Sequence, residues 1–395
     1  MIIPGILSVA GAQNLPAAPL SANIRGHDIE YVADGKILFT YREDEIPGNS
    51  ASCVGKAALI NLSDPENPTM SDVLVLDDML TGLPIYKAPH IAILNSSRAL
   101  VAGSNQDDDV INVYLLDISG ANPLLLDETT ITQVDATSKR FDQKAVSTTS
   151  ALFAYTDNVS GDGQAVIVDA TADTLSVGTA VTLNTSSLVS NSAVTVLTSA
   201  LAYVCSGDRL YHVSIAGMTL TVNDNAALGD HAAQESFMAR IDDTRFLLVY
   251  QATDGFIILR YVQDSGTMSA GAGTPFTLAE DSLSVSFYNH LALVRENKAV
   301  LSYSVSSGGA DEAKYIIIGI DDDGIYLDDY TAITSERAGS TDIQHAIPAR
   351  VDDQTAVIGY QDEPSKAIGL AFITFNIATN AAFSSGFGAG FAKGA

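Results

Sequence analysis

One short pattern recurs seven times along the chain and constrains the fold more than any other feature. An apolar residue is followed by two more, then a small residue, then often tyrosine. The copies are Ile37-Leu38-Phe39-Thr40-Tyr41, Ala99-Leu100-Val101-Ala102-Gly103, Ala151-Leu152-Phe153-Ala154-Tyr155, Ala200-Leu201-Ala202-Tyr203-Val204, Phe246-Leu247-Leu248-Val249-Tyr250, Ala299-Val300-Leu301-Ser302-Tyr303 and Ala356-Val357-Ile358-Gly359-Tyr360. Their first positions lie 62, 52, 49, 46, 53 and 57 residues apart, and five copies end in tyrosine. Near-even spacing in this range marks a repeat architecture, in which each unit packs chiefly on its neighbours.

The surroundings repeat as well. Most copies follow a tight polar turn such as Ala33-Asp34-Gly35 or Asp242-Asp243-Thr244, and before the turn comes another short apolar run such as His90 to Leu94. A third run follows after a polar loop of variable length, and a weaker fourth closes most repeats. Short, β-branched, turn-bounded runs are strand chemistry, and no long window carries helical periodicity. Four strands per repeat and seven repeats predict an all-β, seven-bladed propeller of four-stranded antiparallel blades. A six- or eight-bladed ring is the runner-up, and a β-solenoid fits less well. The inner strands are expected near 26–33, 88–94, 142–148, 190–197, 235–241, 287–294 and 344–351. The tight turns then lie on one face. The opposite face carries the variable loops 42–55, 104–109, 156–163 and 304–314, where binding residues usually sit. The expected organisation is an N-terminal segment 1–21, a propeller 22–385 and a flexible glycine-rich tail 386–395. Ile2 to Val9 is strand-like and is expected to complete the last blade, because an unclosed ring leaves an exposed edge.

Composition narrows the partners. Lys and Arg number 20 against 47 Asp and Glu, a formal net charge of −27. Such a surface lacks the clustered cations that nucleic acid requires, and it is repelled by anionic membrane surfaces. No apolar run approaches the length of a membrane-spanning helix, and the apolar start, Met1 to Leu7, lacks the basic segment of a signal peptide. Cys53 and Cys205 fall in blades far apart, so no disulfide is expected.

Candidate chemistry is sparse. His27, His90, His290 and His345 occupy matching places at the start of inner strands, with Gln143, Ser192 and Ser236 as the nearest equivalents elsewhere. They are expected to ring one mouth of the channel as locally bonded polar groups. Metal ligation would require convergence to about 2 Å from one ion. The acidic runs Asp107-Asp108-Asp109, Asp157 with Asp162, and Asp321-Asp322-Asp323-Gly324 lack EF-hand spacing and read as solvated turns. No nucleophile elbow, zinc-protease motif, P-loop or dinucleotide fingerprint occurs. The chain has no Trp, and it lacks the S-x-D-x-G-x-x-W box of sialidase-type propellers. Neither catalytic residues nor a cofactor or metal are expected, although carboxylate pairs for glycoside hydrolysis converge only in the fold.

The order Ala151 to Asp157, Gly163 to Val168, then Leu175 to Leu183 resembles propeller repeats of virion proteins from marine tailed bacteriophages, over roughly residues 22–385. That resemblance implies a non-enzymatic particle protein, a tail fibre, spike or decoration used in assembly or host adsorption. It would be present in multiple copies, with other virion proteins and a host receptor or glycan as partners. Assembly in a bacterial cytoplasm is the location it implies, and an extracellular location is the alternative. The competing functional reading is an extracellular carbohydrate-active propeller enzyme or a bacterial surface binding module. Binding is expected on the loop face, at Glu43, Asp44, Asp107, Asp108, Asp109, Asp157, Asp311 and Asp362.

Overall fold

In a computed structural model the chain forms seven antiparallel sheets arranged as a ring. The residues described are 8–14, 24–46, 49–63, 68–76, 89–105, 109–135, 141–184, 192–229, 231–252, 257–264, 266, 275–277, 290–295, 297–307, 310–321, 324–332, 343–352, 354–362 and 367–374. The inner strands of blades 1 to 7 are Ile24–Ala33, His90–Asn95, Asp142–Ala145, Ser192–Thr198, His231–Arg240, His290–Arg295 and Ile343–Arg350. They match the sequence expectation in order and nearly in extent. Each inner strand touches the next, and the seventh touches the first. A 3-10 turn, Thr171–Asp173, is the one helical element among the described residues.

The pattern copies are the second strands, and their burial explains why they are apolar throughout. In blade 3, Ala151, Phe153 and Tyr155 pack on blade 2, while Leu152 and Ala154 pack on blade 4. Both faces are interior, so alternation with polar residues disappears. The core is therefore seven wedges, one between each pair of neighbouring blades. Tyr41, Tyr155, Tyr250 and Tyr360 recur at the end of the pattern as buried side chains facing the preceding blade.

A backbone hydrogen bond repeated in six blades sets the register. The N–H groups of Leu62, Ile118, Ala170, Ile215, Asp264 and Ile320 donate to the turn carbonyls of Gly35, Ser97, Thr149, Ala200, Thr244 and Asn297. This bond corrects blade 4. Its first core residue is Ala202, two residues later than the sequence pattern placed it, and Ser206 stands where five of the other blades carry tyrosine. An even shift preserves the side-chain faces, which is why the pattern looked continuous.

Two of the variable loops are not loops. In blade 1 the strands Lys36–Ile46 and Asn49–Asn61 stay paired out to Ile46 and Asn49. In blade 6, Lys298–Ser307 and Ala310–Asp321 pair out to Ser307 and Ala310. Polar residues beyond the packed core simply continue the ladder as projecting hairpins. The fourth strand of blade 7 is Ser8–Asn14, antiparallel to Ala367–Thr374. Ring closure thus uses an N-terminal strand, described from Ser8 onward, as the sequence led one to expect. Residues 1–7 and the tail 386–395 lie outside the described residues. Cys205 is buried as a free thiol in blade 4, and among the described residues no helix is long and apolar enough to cross a membrane.

Candidate active site

Nine residues before the first core residue of each blade, every inner strand places one side chain at the same register: Asp28, His90, Asp142, Ala193, Phe237, His290 and Ile347. All but Ala193 line a pocket on the ring axis, joined by Ile29, Glu30, Ile91, Lys144, Met238, Leu291 and Pro348. The pocket has two unlike walls. Blades 1 to 3 contribute Asp28, Glu30, His90, Asp142 and Lys144. Blades 5 to 7 contribute Phe237, Met238, Leu291, Ile347 and Pro348, with His290 against the Phe237 ring at 4.4 Å between centroids. Its volume is about 50 Å³, room for a few water molecules.

The polar wall is held by repeated ties. Asp28 Oδ1 accepts from Ile29 N at 2.9 Å, and its Oδ2 accepts from Ile91 N of blade 2 at 2.9 Å. Asp142 does the same in blade 3, accepting from Gln143 N and from Val194 N of blade 4, each at 2.8 Å. His90 Nδ1 lies 3.9 Å from Asp142 Oδ1, and Gln143 Nε2 donates to the His90 carbonyl at 2.7 Å. Lys144 Nζ stands 3.6 Å from Glu30 Oε1, joining blade 3 to blade 1 across blade 2.

Electrostatics separates these groups. Burial in the channel, reinforced by the neighbouring Glu30, pushes Asp28 up to about 8 despite its two N–H donors and the Lys144 charge. Burial also raises Glu30, against the pull of Lys144. Lys144 is desolvated too, yet Glu30, Asp142 and Asp28 together hold it well above its usual value. Glu30 and Lys144 keep 38% and 37% of their side-chain surface open. That surface faces a cavity of a few waters, so desolvation still dominates. Asp28 is consequently a protonated acid near neutral pH, beside a lysine-paired carboxylate.

Of the four histidines singled out in the sequence, His90 and His290 line this pocket. His27 sits one position earlier, opposite Tyr41, and is completely buried between blades 1 and 7. Burial pulls it down to about 4, and a Cβ on Gly359 would lie 3.3 Å from its Nε2. The expected single ring of histidines is thus two rows, because a one-residue step rotates the side chain to the other face. His345 falls in the strand Ile343–Arg350, with its side chain outside the described residues.

The acidic residues assigned to the loop face are dispersed. Glu43, Asp44, Asp311 and Asp362 lie on strands, which corrects their assignment to loops. Glu43 is nearly buried and paired with Lys56. Asp157 caps its own turn, accepting from Val159 N, Ser160 N and Ser160 Oγ at 2.9, 2.7 and 3.0 Å. Asp109 heads the strand Val110–Asp117 with a positive φ of 51°. Asp107 and Asp108 lie outside the described residues. Among the described residues no three His, Cys, Asp or Glu side chains approach closely enough to hold a metal.

No family model and no curated protein matches the chain. Solved structures do. An intramolecular trans-sialidase from Ruminococcus gnavus, in complex with oseltamivir carboxylate, overlays with a TM-score of 0.50 at 10% identity, covering 92% of this chain and 97% of that one. An α-L-arabinanase from Penicillium chrysogenum gives 0.49 at 11%, covering 94% and 99%. The propeller domain of a Myceliophteria thermophila protein, Cps50, gives 0.49 at 10%, covering 92% and 98%. At such identities the likeness shows the fold alone. It nevertheless corrects the virion reading. The repeat motif that carried the resemblance encodes a blade, and a trans-sialidase is built on the same ring. The motif by itself therefore assigns neither a tail fibre nor an adsorption role. The expectation of a non-enzymatic protein is withdrawn with it. The site that sequence reasoning missed is Asp28, Glu30, Asp142 and Lys144. The available signal was a pair of Asp-x-charged triplets at the same offset from the core pattern.

Proposed function

We propose that this chain is a carbohydrate-active propeller enzyme acting on a glycan at the mouth of the axial channel. The observation that carries the reading is the convergence of Asp28, Glu30 and Asp142 with Lys144 on one axial pocket. Glycoside cleavage needs one carboxyl group that is protonated and a second that is anionic. Asp28, pushed up to about 8, supplies the acid at neutral pH. Glu30, beside the Lys144 ammonium, is the anionic partner that stabilises positive charge developing on the sugar while Asp28 gives its proton to the leaving oxygen and water adds at the anomeric carbon. Asp142 positions His90 and anchors blade 4. The pocket admits a few waters, so the sugar ring lies over it and one substituent enters. The apolar wall of Phe237, Met238 and Leu291 suits the C–H face of a sugar.

The test is turnover of a panel of oligosaccharides by the purified full chain, with reducing-end release as the readout. Asp28→Asn is expected to reduce turnover by a factor of about 100 or more, the usual weight of a general acid, with the circular dichroism spectrum retained. Absence of turnover on every glycan, or full activity in Asp28→Asn, overturns the proposal.

A further inference from the structure

The charges that line the axial pocket constrain which glycan it takes. Carboxyl groups outnumber ammonium groups three to one: Asp28, Glu30 and Asp142 against Lys144. The one ammonium is already committed. Lys144 lies 3.6 Å from Glu30 and interacts favourably with Asp142 and Asp28 as well. No arginine lines the pocket among the described residues. The opposite wall offers Phe237, Met238, Leu291, Ile347 and Pro348, and its one titratable group is the His290 imidazole packed on the Phe237 ring. A carboxylate or sulfate brought to this place meets the Glu30 carboxylate, whose lysine partner is already engaged, in a narrow cavity where water screens poorly. The chain as a whole, at −27, repels it during approach.

We infer that the axial pocket selects against acidic sugars, and that the glycan it accepts bears no carboxylate, sulfate or phosphate at the group entering the channel. The inference rests on the carbohydrate reading above. It separates this site from sialic acid chemistry, although the ring overlays a trans-sialidase. Discrimination follows from repulsion by the pocket rather than from an added contact to the preferred sugar.

The experiment is a binding panel with the full-length chain. Neutral arabino-, galacto-, gluco- and manno-oligosaccharides are immobilised beside sialylated and uronate-bearing counterparts and read at low and high salt. Acidic counterparts are expected to bind about tenfold more weakly or worse at low salt, and the gap narrows as salt screens the pocket. Glu30→Gln removes one carboxylate and is expected to raise affinity for the acidic counterparts. Acidic glycans that bind as well as the neutral ones, with no salt-dependent gap, overturn the inference and leave the carbohydrate reading standing. Silence across both classes overturns the carbohydrate reading, and the inference falls with it.

Discussion

Blades 1 and 3 carry the same device with opposite completions. Asp28-Ile29-Glu30 and Asp142-Gln143-Lys144 begin at the same register, opposite Thr40 and Ala154. Each aspartate bonds the next N–H in its own strand and one N–H of the following blade. Two residues further on, blade 1 places a carboxylate and blade 3 an ammonium, and blade 2 places the small Ala92 between them. The two charged ends meet across that gap at 3.6 Å. The aspartates serve the blade, because an inner strand needs its outermost N–H groups satisfied. The charges two residues on are demanded by no repeat. They are where one blade becomes chemically distinct from another.

The comparison breaks most visibly if the signs are made alike. Lys144→Glu leaves the axial carboxylates without a cation and is expected to cost about 2–4 kcal/mol, toward the range for disrupting a partly buried pair. The exchange Glu30→Lys with Lys144→Glu restores most of it. Urea denaturation of the parent and the two variants measures both numbers, and a swap no better than the single change would show that the pair is not a bond between blades.

Asp28→Ala and Asp142→Ala come next, at about 1–3 kcal/mol each, the range for leaving a buried N–H donor without its acceptor. Similar losses are expected because the two ties are alike. A loss in one blade alone would deny the equivalence.

Titration sharpens the contrast with smaller effects. Asp28 has a folded-state value of about 8 against 3.8 for the unfolded chain, so the folded state holds an extra proton between those limits. Its contribution to stability is present below pH 4 and is lost as pH rises toward 8. His27 has the opposite sign. Its folded value of about 4 lies below 6.5, so stability rises with pH across that window. Relative to the parent, the slope of the unfolding midpoint against pH should become more positive in Asp28→Asn between pH 4 and pH 8. It should become more negative in His27→Gln between pH 4 and 6.5.

The smallest expected effect is at Gly359, which occupies in blade 7 the register of Thr40 and Ala154. A methyl group there would press on His27 and Ile29, each at 3.3 Å. Gly359→Ala is expected to cost about 1 kcal/mol, the lower end for overpacking, seen as a lowered melting temperature. Pairing it with His27→Gln tests whether the imidazole is what fills the space.

The blades were legible because each needs an apolar second strand buried on both faces, and seven such strands at near-even spacing leave few alternatives. The blade 4 register was not legible. Ala200-Leu201-Ala202-Tyr203 imitates the motif two residues early with the same alternation. The hairpins bearing Glu43, Asp44 and Asp311 read as loops because polar residues outside the core look alike whether or not their backbones pair. The axial cluster was hidden for a different reason. Glu30 and Lys144 are separated by more than one hundred positions and become neighbours only when the inner strands converge. The histidines drew notice as a rarer residue type, yet His27 points into an interblade wedge and the ordinary aspartate beside it reaches the channel.

Closure of the ring by Ser8–Asn14 against Ala367–Thr374 has a consequence for how the molecule comes into being. Its first described strand leaves the ribosome about 350 residues before its partner, an interval of some 20–70 s at ordinary rates of synthesis. For that time six blades accumulate as an open arc with an unmatched wedge at each end, and the early strand has nowhere to dock. Completion is therefore a single late event that joins the first-made strand of the ring to the last-made blade, and any chain interrupted before Ala367 remains an arc.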